Sequence, residues 1–320
     1  MKLTIIYDYF FRKLPNELLQ KIKDTAPAYE ITEVEQSEVE VKDLIDSDIV
    51  FGRIPAHFLI KLPNLKWQHL ASAGANGLTD RALYANKETI LTKSAGTFGV
   101  SISEHIIGMM VSLGRDFGHY YEKQFKSEWD DEFPKLLDIS GSTVLIVGTG
   151  DIGIEVGRRL SGFGCDIIGL RRNPSKGNDV INDVRCISQL HDILPEADYV
   201  IICTPGTTET EKLFGQKEFE LMKSTAIIIN VGRGMIIDSD ALAKALNERQ
   251  IYGAGLDVTD PEPLPQEHPL WSARNIFITP HVSAATNVTT ERRAMVFINQ
   301  LKRYLEGEEL HNHVDFDAGY

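Results

Sequence analysis

Residues 143–160, TVLIVGTGDIGIEVGRRL, constrain this chain more than any other stretch. An apolar, β-branched run leads straight into Gly148-Thr149-Gly150-Asp151-Ile152-Gly153, and Ile152, Val156, Arg159 and Leu160 follow at helix spacing. That is a strand, a glycine turn and a helix in the order a dinucleotide site needs. Gly148 permits the tight turn, Gly150 lets the backbone approach a pyrophosphate, and Gly153 lets the helix pack close to the strand. The helix N-terminus, at Asp151 and Ile152, then offers unpaired N–H groups and a partial positive charge to the phosphates. The same glycines could make a tight turn that binds nothing, so the rest of the chain has to decide.

A chain of 320 residues suggests two domains. Its net charge of −13 argues against nucleic acid or an acidic membrane as partner. No apolar run reaches the length needed to span a bilayer, and the opening MKLTIIYDYF reads as a first strand rather than a signal peptide. Cys165, Cys186 and Cys203 lie in or beside predicted strands at no metal spacing. They are expected to be buried small apolar residues in a reducing cytoplasm. With no CxxC or HExxH motif, no metal site is expected.

Along the first hundred residues short strands alternate with helices. Strands are predicted at 3–7, 29–34, 48–51 and 67–71, and a helix at 15–25. The loop Ser72-Ala73-Gly74-Ala75-Asn76-Gly77 follows one of these strands, where an open α/β sheet usually binds ligands. It could equally be a flexible connection. A helical pattern runs over 100–126, with an apolar face of Ile102, Ile106, Met109, Met110 and Leu113 that suits either a core or a dimer contact. Residues 143–280 hold a regular α/β series, with strands at 143–147, 166–170, 184–187, 198–203, 226–231, 253–257 and 276–279 and helices at 151–163 and 238–249. A last helix, 285–306, ends at Gly307 and returns the chain to the first domain, on which the acidic tail 308–320 docks. The fold class is therefore α/β, with two doubly wound parallel-sheet domains. A Rossmann nucleotide domain, 100–286, is inserted into a flavodoxin-like substrate domain made of 1–99 and 287–320. A hinge is expected near 96–100 and 282–287.

Eighteen residues past Gly153, where an acid normally binds the adenosine ribose, stands Arg171 in GLRRNPSK. Arg171, Arg172 and Lys176 suit a 2′-phosphate, which guanidinium groups hold with charge-assisted bonds. NADP(H) is therefore the expected cofactor, with NAD(H) as the alternative. The bland reading is a pair of arginines solvating a strand end.

Three polar residues each stand just past a predicted strand of the nucleotide domain: Arg233 in INVGRGMIID, Glu262 in LDVTDPEPLP and His281 in FITPHVSAAT. Strand C-terminal ends converge on the ligand cleft. Arg233 can hold a substrate carboxylate bidentately. His281 can exchange a proton near neutral pH, and Glu262 beside it would favour the imidazolium and orient the ring. Singly, each has a structural explanation: a surface histidine, an arginine lining a glycine turn, a solvated glutamate between prolines.

Together they match a family. The chain resembles the D-isomer-specific 2-hydroxyacid dehydrogenases, a group that includes glyoxylate/hydroxypyruvate reductases. The resemblance rests on GTGDIG at 148–153, NVGRG at 230–234, LDVTDPEPLP at 256–265, and HPLW with TPHVSAAT at 268–286. It implies that His281 is the acid/base paired with Glu262, and that Arg233 binds the substrate carboxylate and carbonyl. It implies that backbone amides at Ala73 and Gly74 help hold that carboxylate. Asp151 and Ile152 would sit on the pyrophosphate, with Thr97 near the phosphates or nicotinamide. Cys203, Thr204 and Pro205, with Thr210, would line the adenosine side. Val231, Gly232, Arg233, Asp257, His281 and Ala284 would border the nicotinamide. The implied activity is reduction of a small 2-oxo acid to the D-2-hydroxy acid in a cytoplasmic homodimer. Arg171, where many relatives carry Asp, is the main departure, and Glu262, where formate-oxidising relatives carry Gln, argues against that activity. Two other readings stay in view: a dinucleotide-sensing corepressor-like protein, and oxidation of another small anion such as phosphite.

Overall fold

Short, wholly apolar runs alternating with amphipathic ones build parallel sheets, because both faces of each strand must be covered by helices. A computed structural model describes residues 1–131, 136–174, 179–317 and 319. In it the chain forms two compact units, one of residues 1–98 and 285–320 and the other of 99–284.

The first unit runs β1 (Lys2–Tyr7), α1 (Asn16–Thr25), β2 (Glu30–Glu35), α2 (Val41–Leu44), β3 (Ile49–Phe51), α3 (Ala56–Leu59), β4 (Trp67–Leu70) and β5 (Ile90–Lys93). All its strands are parallel, in the order β2-β1-β3-β4-β5, the flavodoxin-like order. Sequence reading missed β5. Its ILTK offers only two adjacent apolar residues, and its strand character comes from pairing with Trp67, Gln68, His69 and Leu70.

The second unit begins with α4 (Gly99–Gly114) and α5 (Phe117–Phe125). One helix over 100–126 was expected, and the structure has two. The Gly114 carbonyl accepts the Leu137 N–H at 2.8 Å, and Asp116 takes a left-handed backbone, φ +52°, which ends the first helix. Next come β6 (Thr143–Val147), α6 (Asp151–Leu160), β7 (Asp166–Arg171), β8 (Asp183–Cys186), α7 (Leu190–Ile193), β9 (Tyr199–Ile202), α8 (Gln216–Leu221), β10 (Ile227–Asn230), α9 (Ser239–Asn247), β11 (Gly253–Leu256) and β12 (Ile276–Ile278). The last three residues of the expected helix 151–163 form a 3₁₀ turn instead. The sheet order is β12-β11-β10-β9-β6-β7-β8. In the unit's own strand count this is the doubly wound dinucleotide order with one strand added. Strands β9, β10 and β11 are buried along their whole length and β6 from Val144 onward, which is why they read as largely apolar runs.

The α4 face of Ile102, Ile106, Met109, Met110 and Leu113 is buried against α6, β10 and β11. It is core, so it leaves no surface for a second copy. Exposed aromatics lie instead along and beyond α5: Phe117, Tyr121, Phe125 and Trp129.

The chain returns to the first unit in α10 (Thr289–Glu306), which stops at Gly307 in the left-handed region. It starts four residues later than expected, because the Thr289 hydroxyl accepts the Thr286 N–H and holds the preceding residues in a turn. Its buried face, Ala294, Phe297, Ile298 and Leu301, joins Leu18 and Ile22 of α1 in one core. The tail docks on β5: the Val314 N–H donates to the Leu91 carbonyl at 2.9 Å, and the Lys93 N–H to that of Asn312 at 3.1 Å.

Candidate active site

In the second unit the strand order reverses between β6 and β9, and the loops leaving these strands meet. At Gly148, φ +102°, a Cβ would lie 2.8 Å from the Cys203 carbonyl carbon, so only glycine lets the two loops touch. At Gly153 a Cβ would fall 2.1 Å from the Gly148 carbonyl oxygen. Glycine there seats the first turn of α6 on the strand end.

The start of α6 is built as an anion cradle. Gly150, its N-cap, provides no side chain to satisfy the first N–H groups, and a Cβ added there would meet nothing within 4 Å. The Thr149 hydroxyl is buried without a hydrogen-bond partner among the described residues. These donors at a helix N-terminus fit a pyrophosphate. Asp151 is exposed and Ile152 half-buried at the mouth of the cradle.

Around it stand the other expected cofactor residues of this unit. Arg171 ends β7 beside Cys186 of β8. Arg172 is exposed and lies 3.5 Å from Glu209 in a solvent-screened pair. Lys176 lies outside the described residues. Past β9, the Thr210 hydroxyl donates to the Pro205 carbonyl at 2.8 Å and accepts the Thr207 N–H at 2.8 Å, pinning the turn that carries Thr204 and Pro205. Cys165, Cys186 and Cys203 are free thiols in residues of intermediate exposure, not the fully buried positions expected. Each stands at or just beyond a strand end, where the neighbouring strand no longer covers it completely.

The three candidate catalytic residues follow successive neighbouring strands, Arg233 after β10, Glu262 after β11 and His281 after β12. His281 Nδ1 and Glu262 Oε1 are 2.7 Å apart, with side chains 36% and 42% exposed. Glu262, an acceptor when ionised, thus takes the Nδ1–H, which makes Nε2 the ring nitrogen suited to proton exchange.

Two buried polar side chains aim these loops. Asn230, 0% exposed, accepts the Gly232 N–H at 3.0 Å through Oδ1 and donates from Nδ2 to the Arg233 carbonyl at 2.9 Å. The Val231-Gly232-Arg233 turn is thereby fixed from inside, with Val231 and Gly232 buried and Arg233 half-exposed. Asp257, 1% exposed, does the same for His281. Its Oδ1 accepts the Val282 N–H at 2.8 Å and the Thr279 hydroxyl at 2.7 Å, and its Oδ2 accepts the Ser283 N–H at 3.0 Å. Its carbonyl takes the His281 N–H at 2.8 Å. His281 itself has φ +55°, a left-handed backbone that such a clamp can sustain. The sequence places Asp257 at the nicotinamide border, and the structure commits its carboxylate to this loop. Asn230 was missed. Its signal was a polar residue closing the all-apolar strand IIIN.

Ala73, Gly74 and Thr97 belong to the first unit, and Ala284 is the last residue of the second. Ala73 and Gly74 lie half-buried in the loop after β4, where the Ser72 hydroxyl donates to the Gly74 carbonyl at 2.7 Å. Thr97 is buried, and its hydroxyl donates to the Ser94 carbonyl at 2.7 Å.

Comparison with known proteins agrees with this architecture. The family model described as D-isomer specific 2-hydroxyacid dehydrogenase, NAD binding domain, matches residues 107–283. Glyoxylate/hydroxypyruvate reductase B of Escherichia coli is 30% identical over 318 residues, covering 96% of each chain. A crystal structure of a D-isomer specific 2-hydroxyacid dehydrogenase family protein from Aeromonas salmonicida superposes with a TM-score of 0.85 at 30% identity, covering 99% of both chains. An NADPH-dependent glyoxylate/hydroxypyruvate reductase from Sinorhizobium meliloti, solved with NADP and malonate, gives 0.78 at 26% identity, covering 98% of this chain and 97% of that one. With the family model spanning more than half its length and a relative matched end to end, the chain belongs to the D-isomer-specific 2-hydroxyacid dehydrogenases.

Proposed function

We propose that this protein reduces a small 2-oxo acid to the D-2-hydroxy acid and runs the reverse reaction, with NADPH preferred and NADH as the alternative. One observation carries the reading. The His281–Glu262 pair, at 2.7 Å, stands at the same edge of a dinucleotide-type sheet as a clamped Arg233. The nicotinamide, when bound, supplies or accepts the hydride.

The protein's own part is proton handling and orientation. Glu262 holds Nδ1–H, so His281 presents Nε2 to the substrate oxygen and protonates it in reduction. Arg233 receives the carboxylate and polarises the carbonyl, together with the backbone at Ala73 and Gly74. Gly148, Gly150, Asp151, Ile152 and Gly153 would hold the pyrophosphate. Thr97, Thr204, Pro205, Thr210, Val231, Gly232, Asp257 and Ala284 would line the rest of the dinucleotide path. The first unit would serve as the substrate domain and the second as the dinucleotide domain.

Arg171 and Arg172 support the NADPH preference, since both are cations where a ribose-binding acid would otherwise stand. The Sinorhizobium relative is described as NADPH-dependent and as a glyoxylate/hydroxypyruvate reductase, which makes these two oxo acids the first substrates to test. The three free thiols suit a cytoplasmic location. The exposed aromatics of α5 and the residues after it suit a homodimer contact.

The test is kcat/KM on glyoxylate, hydroxypyruvate, pyruvate and bulkier 2-oxo acids with NADPH, alongside His281→Ala. The substitution should lower kcat by about 10²–10⁴-fold while the NADPH dissociation constant stays within about twofold. An unchanged kcat would remove His281 from the mechanism. Failure on every oxo acid, with NADPH still bound, would remove the reductase reading.

A further inference from the structure

Between α4 and the catalytic edge of the second unit runs a chain of hydrogen bonds that the mechanism above does not use. His105, in the middle of α4 with its side chain 22% exposed, places Nε2 3.1 Å from the Thr279 hydroxyl oxygen. Thr279 stands just past β12, two residues before His281. Its hydroxyl donates to Asp257 Oδ1 at 2.7 Å, and Asp257 clamps the backbone N–H groups of Val282 and Ser283.

Proton counting gives this chain a direction. An ionised carboxylate only accepts, so the single Thr279 hydroxyl proton is committed to Asp257. Thr279 then has only lone pairs left for His105, and Nε2 of His105 must carry the hydrogen. Burial holds this imidazole below its ordinary pKa against the opposing pull of Asp257, which suits a neutral Nε2–H donor. The order is therefore His105 N–H to Thr279, Thr279 O–H to Asp257, and Asp257 to the loop that contains His281. His105 also lies 3.9 Å from Asp257 Oδ1 itself, too far for a direct bond, so it acts through the threonine.

We propose that His105 is a positioning residue for His281, acting by locking the Thr279 rotor against Asp257. The proposal rests on the reading of His281 as the acid/base. A hydroxyl not held by His105 can turn away, and Asp257 Oδ1 then loses one of its two donors. His281 sits in a left-handed backbone, φ +55°, that relaxes when its clamp loosens. A small misplacement of the proton donor slows the chemical step strongly, whereas dinucleotide and oxo-acid binding depend on other groups. The expected signature is a kcat effect.

The variants are His105→Phe, which keeps the bulk and removes the donor, His105→Gln, which restores an N–H near the same point, and Thr279→Val. With glyoxylate and NADPH, His105→Phe and Thr279→Val should each lower kcat about 5–20-fold. KM for glyoxylate and the NADPH dissociation constant should stay within about twofold. The double variant should be no slower than the worse single one, because both cut the same chain, and His105→Gln should recover most of the rate. In the unliganded protein, nitrogen-correlated NMR of the His105 ring should show the proton on Nε2. Should His105→Phe fail to fold, Thr279→Val and the NMR tautomer carry the test. Multiplicative losses in the double variant, a kcat within twofold of the unsubstituted protein, or a proton on Nδ1 of His105 would each overturn the proposal. A fall in dinucleotide affinity that matches the fall in kcat would also overturn it, in favour of direct cofactor contact. In a His281→Ala background, His105→Phe should have no further effect. If His281→Ala alone leaves kcat intact, the reading of His281 fails by a result separate from these.

Discussion

His69 makes the first unit acid-sensitive by an amount that can be worked out. It lies in β4, completely buried, between Phe51, Trp67 and Phe297, with ring centroids 5.6, 6.0 and 5.6 Å away. Trp67 Nε1–H donates to the Thr92 hydroxyl oxygen at 2.8 Å, and that hydroxyl lies 2.7 Å from His69 Nδ1. On the other side Nε2 is 3.1 Å from the Ser94 hydroxyl, which donates to the Leu70 carbonyl at 2.9 Å. Ser94 therefore accepts from Nε2–H, and Thr92 donates to Nδ1. Every proton in the chain is used once, and a second ring proton would turn the Thr92 hydroxyl proton away from Nδ1. Burial alone pushes the pKa from 6.5 to about 3.

The sign of the linkage follows. Above pH 6.5 the folded and unfolded histidines are both neutral, and the group contributes nothing to the pH slope. Between pH 6.5 and about 3 the unfolded chain takes up a proton that the folded one refuses. Stability then falls by about 1.4 kcal/mol per pH unit, which reaches about 3 kcal/mol at pH 4.5. Other groups add slopes of their own, so the measurement is the difference between the protein and His69→Gln, which keeps polar contacts and cannot titrate. Urea unfolding followed by tryptophan fluorescence suits this unit, because Trp67 is buried while Trp129 and Trp271 are 95% and 51% exposed. At pH 7.5 the variant should be the less stable protein, and by pH 4.5 its deficit should shrink or reverse by about 2–3 kcal/mol. A deficit that stays constant with pH would refute the reasoning. The network also reaches the loop after β4, since the Ser94 N–H is shared between the Leu70 and Ser72 carbonyls, directly before Ala73 and Gly74.

Three further outcomes are expected. Arg171→Asp removes a charge-assisted bond of about 1.5–3 kcal/mol to a 2′-phosphate and adds repulsion, so the NADPH-to-NADH ratio of kcat/KM should fall by about 10–100-fold; an unchanged ratio would assign the preference elsewhere. Asn230→Ala frees the Gly232 N–H and the Arg233 carbonyl, and should destabilise the second unit by about 2–4 kcal/mol while raising the oxo-acid KM more than it changes kcat, as steady-state kinetics and melting would show. Phe125→Glu, at a residue 87% exposed, should weaken self-association at least 30-fold in sedimentation if the α5 aromatics form the dimer contact, with no loss of thermal stability in the monomer.

The parts legible in the sequence were those governed by local chemistry. Residues 143–153 carried the strand, the turn and the helix start together, because only glycine tolerates the backbone approaches at Gly148 and Gly153. The apolar runs of the second unit were readable for a similar reason: a strand buried on both faces admits a polar residue only where its partners are provided, as for Asn230 at the end of β10. Elements set by tertiary pairing were not readable. β5 is a strand because β4 offers it a partner, and the α4–α5 break depends on Leu137, more than twenty positions downstream of the helix it ends. The apolar stripe of α4 was ambiguous between core and interface, and its packing against β10 and β11 settles that in favour of core. The candidate catalytic three were found because each is a polar residue just past an apolar strand. Their supports were not: Thr279 and His105 are tied to the site only through the atoms they face, and Asn230 offered no more than a polar residue closing an apolar strand.

Those supports explain how half-exposed candidate catalytic side chains can be held accurately. His281 and Glu262 are 36% and 42% exposed, and an ion pair so placed is worth little by itself. It could not fix a ring against thermal motion. The fixing is done one layer down, where Asn230 ends β10 and Asp257 directly follows the neighbouring β11, both almost fully buried. The Asp257 N–H donates to the Asn230 carbonyl at 3.0 Å, so both clamps are extensions of the same ladder. Each then grips a different loop, Asn230 the turn of Arg233 and Asp257 the turn of His281. The turns of Arg233 and His281 are thus both held against one rigid reference, the sheet, rather than against each other across a flexible surface. Solvent-exposed side chains with buried anchorage can exchange protons with water while their backbones stay fixed, which is what the proposed hydride transfer requires.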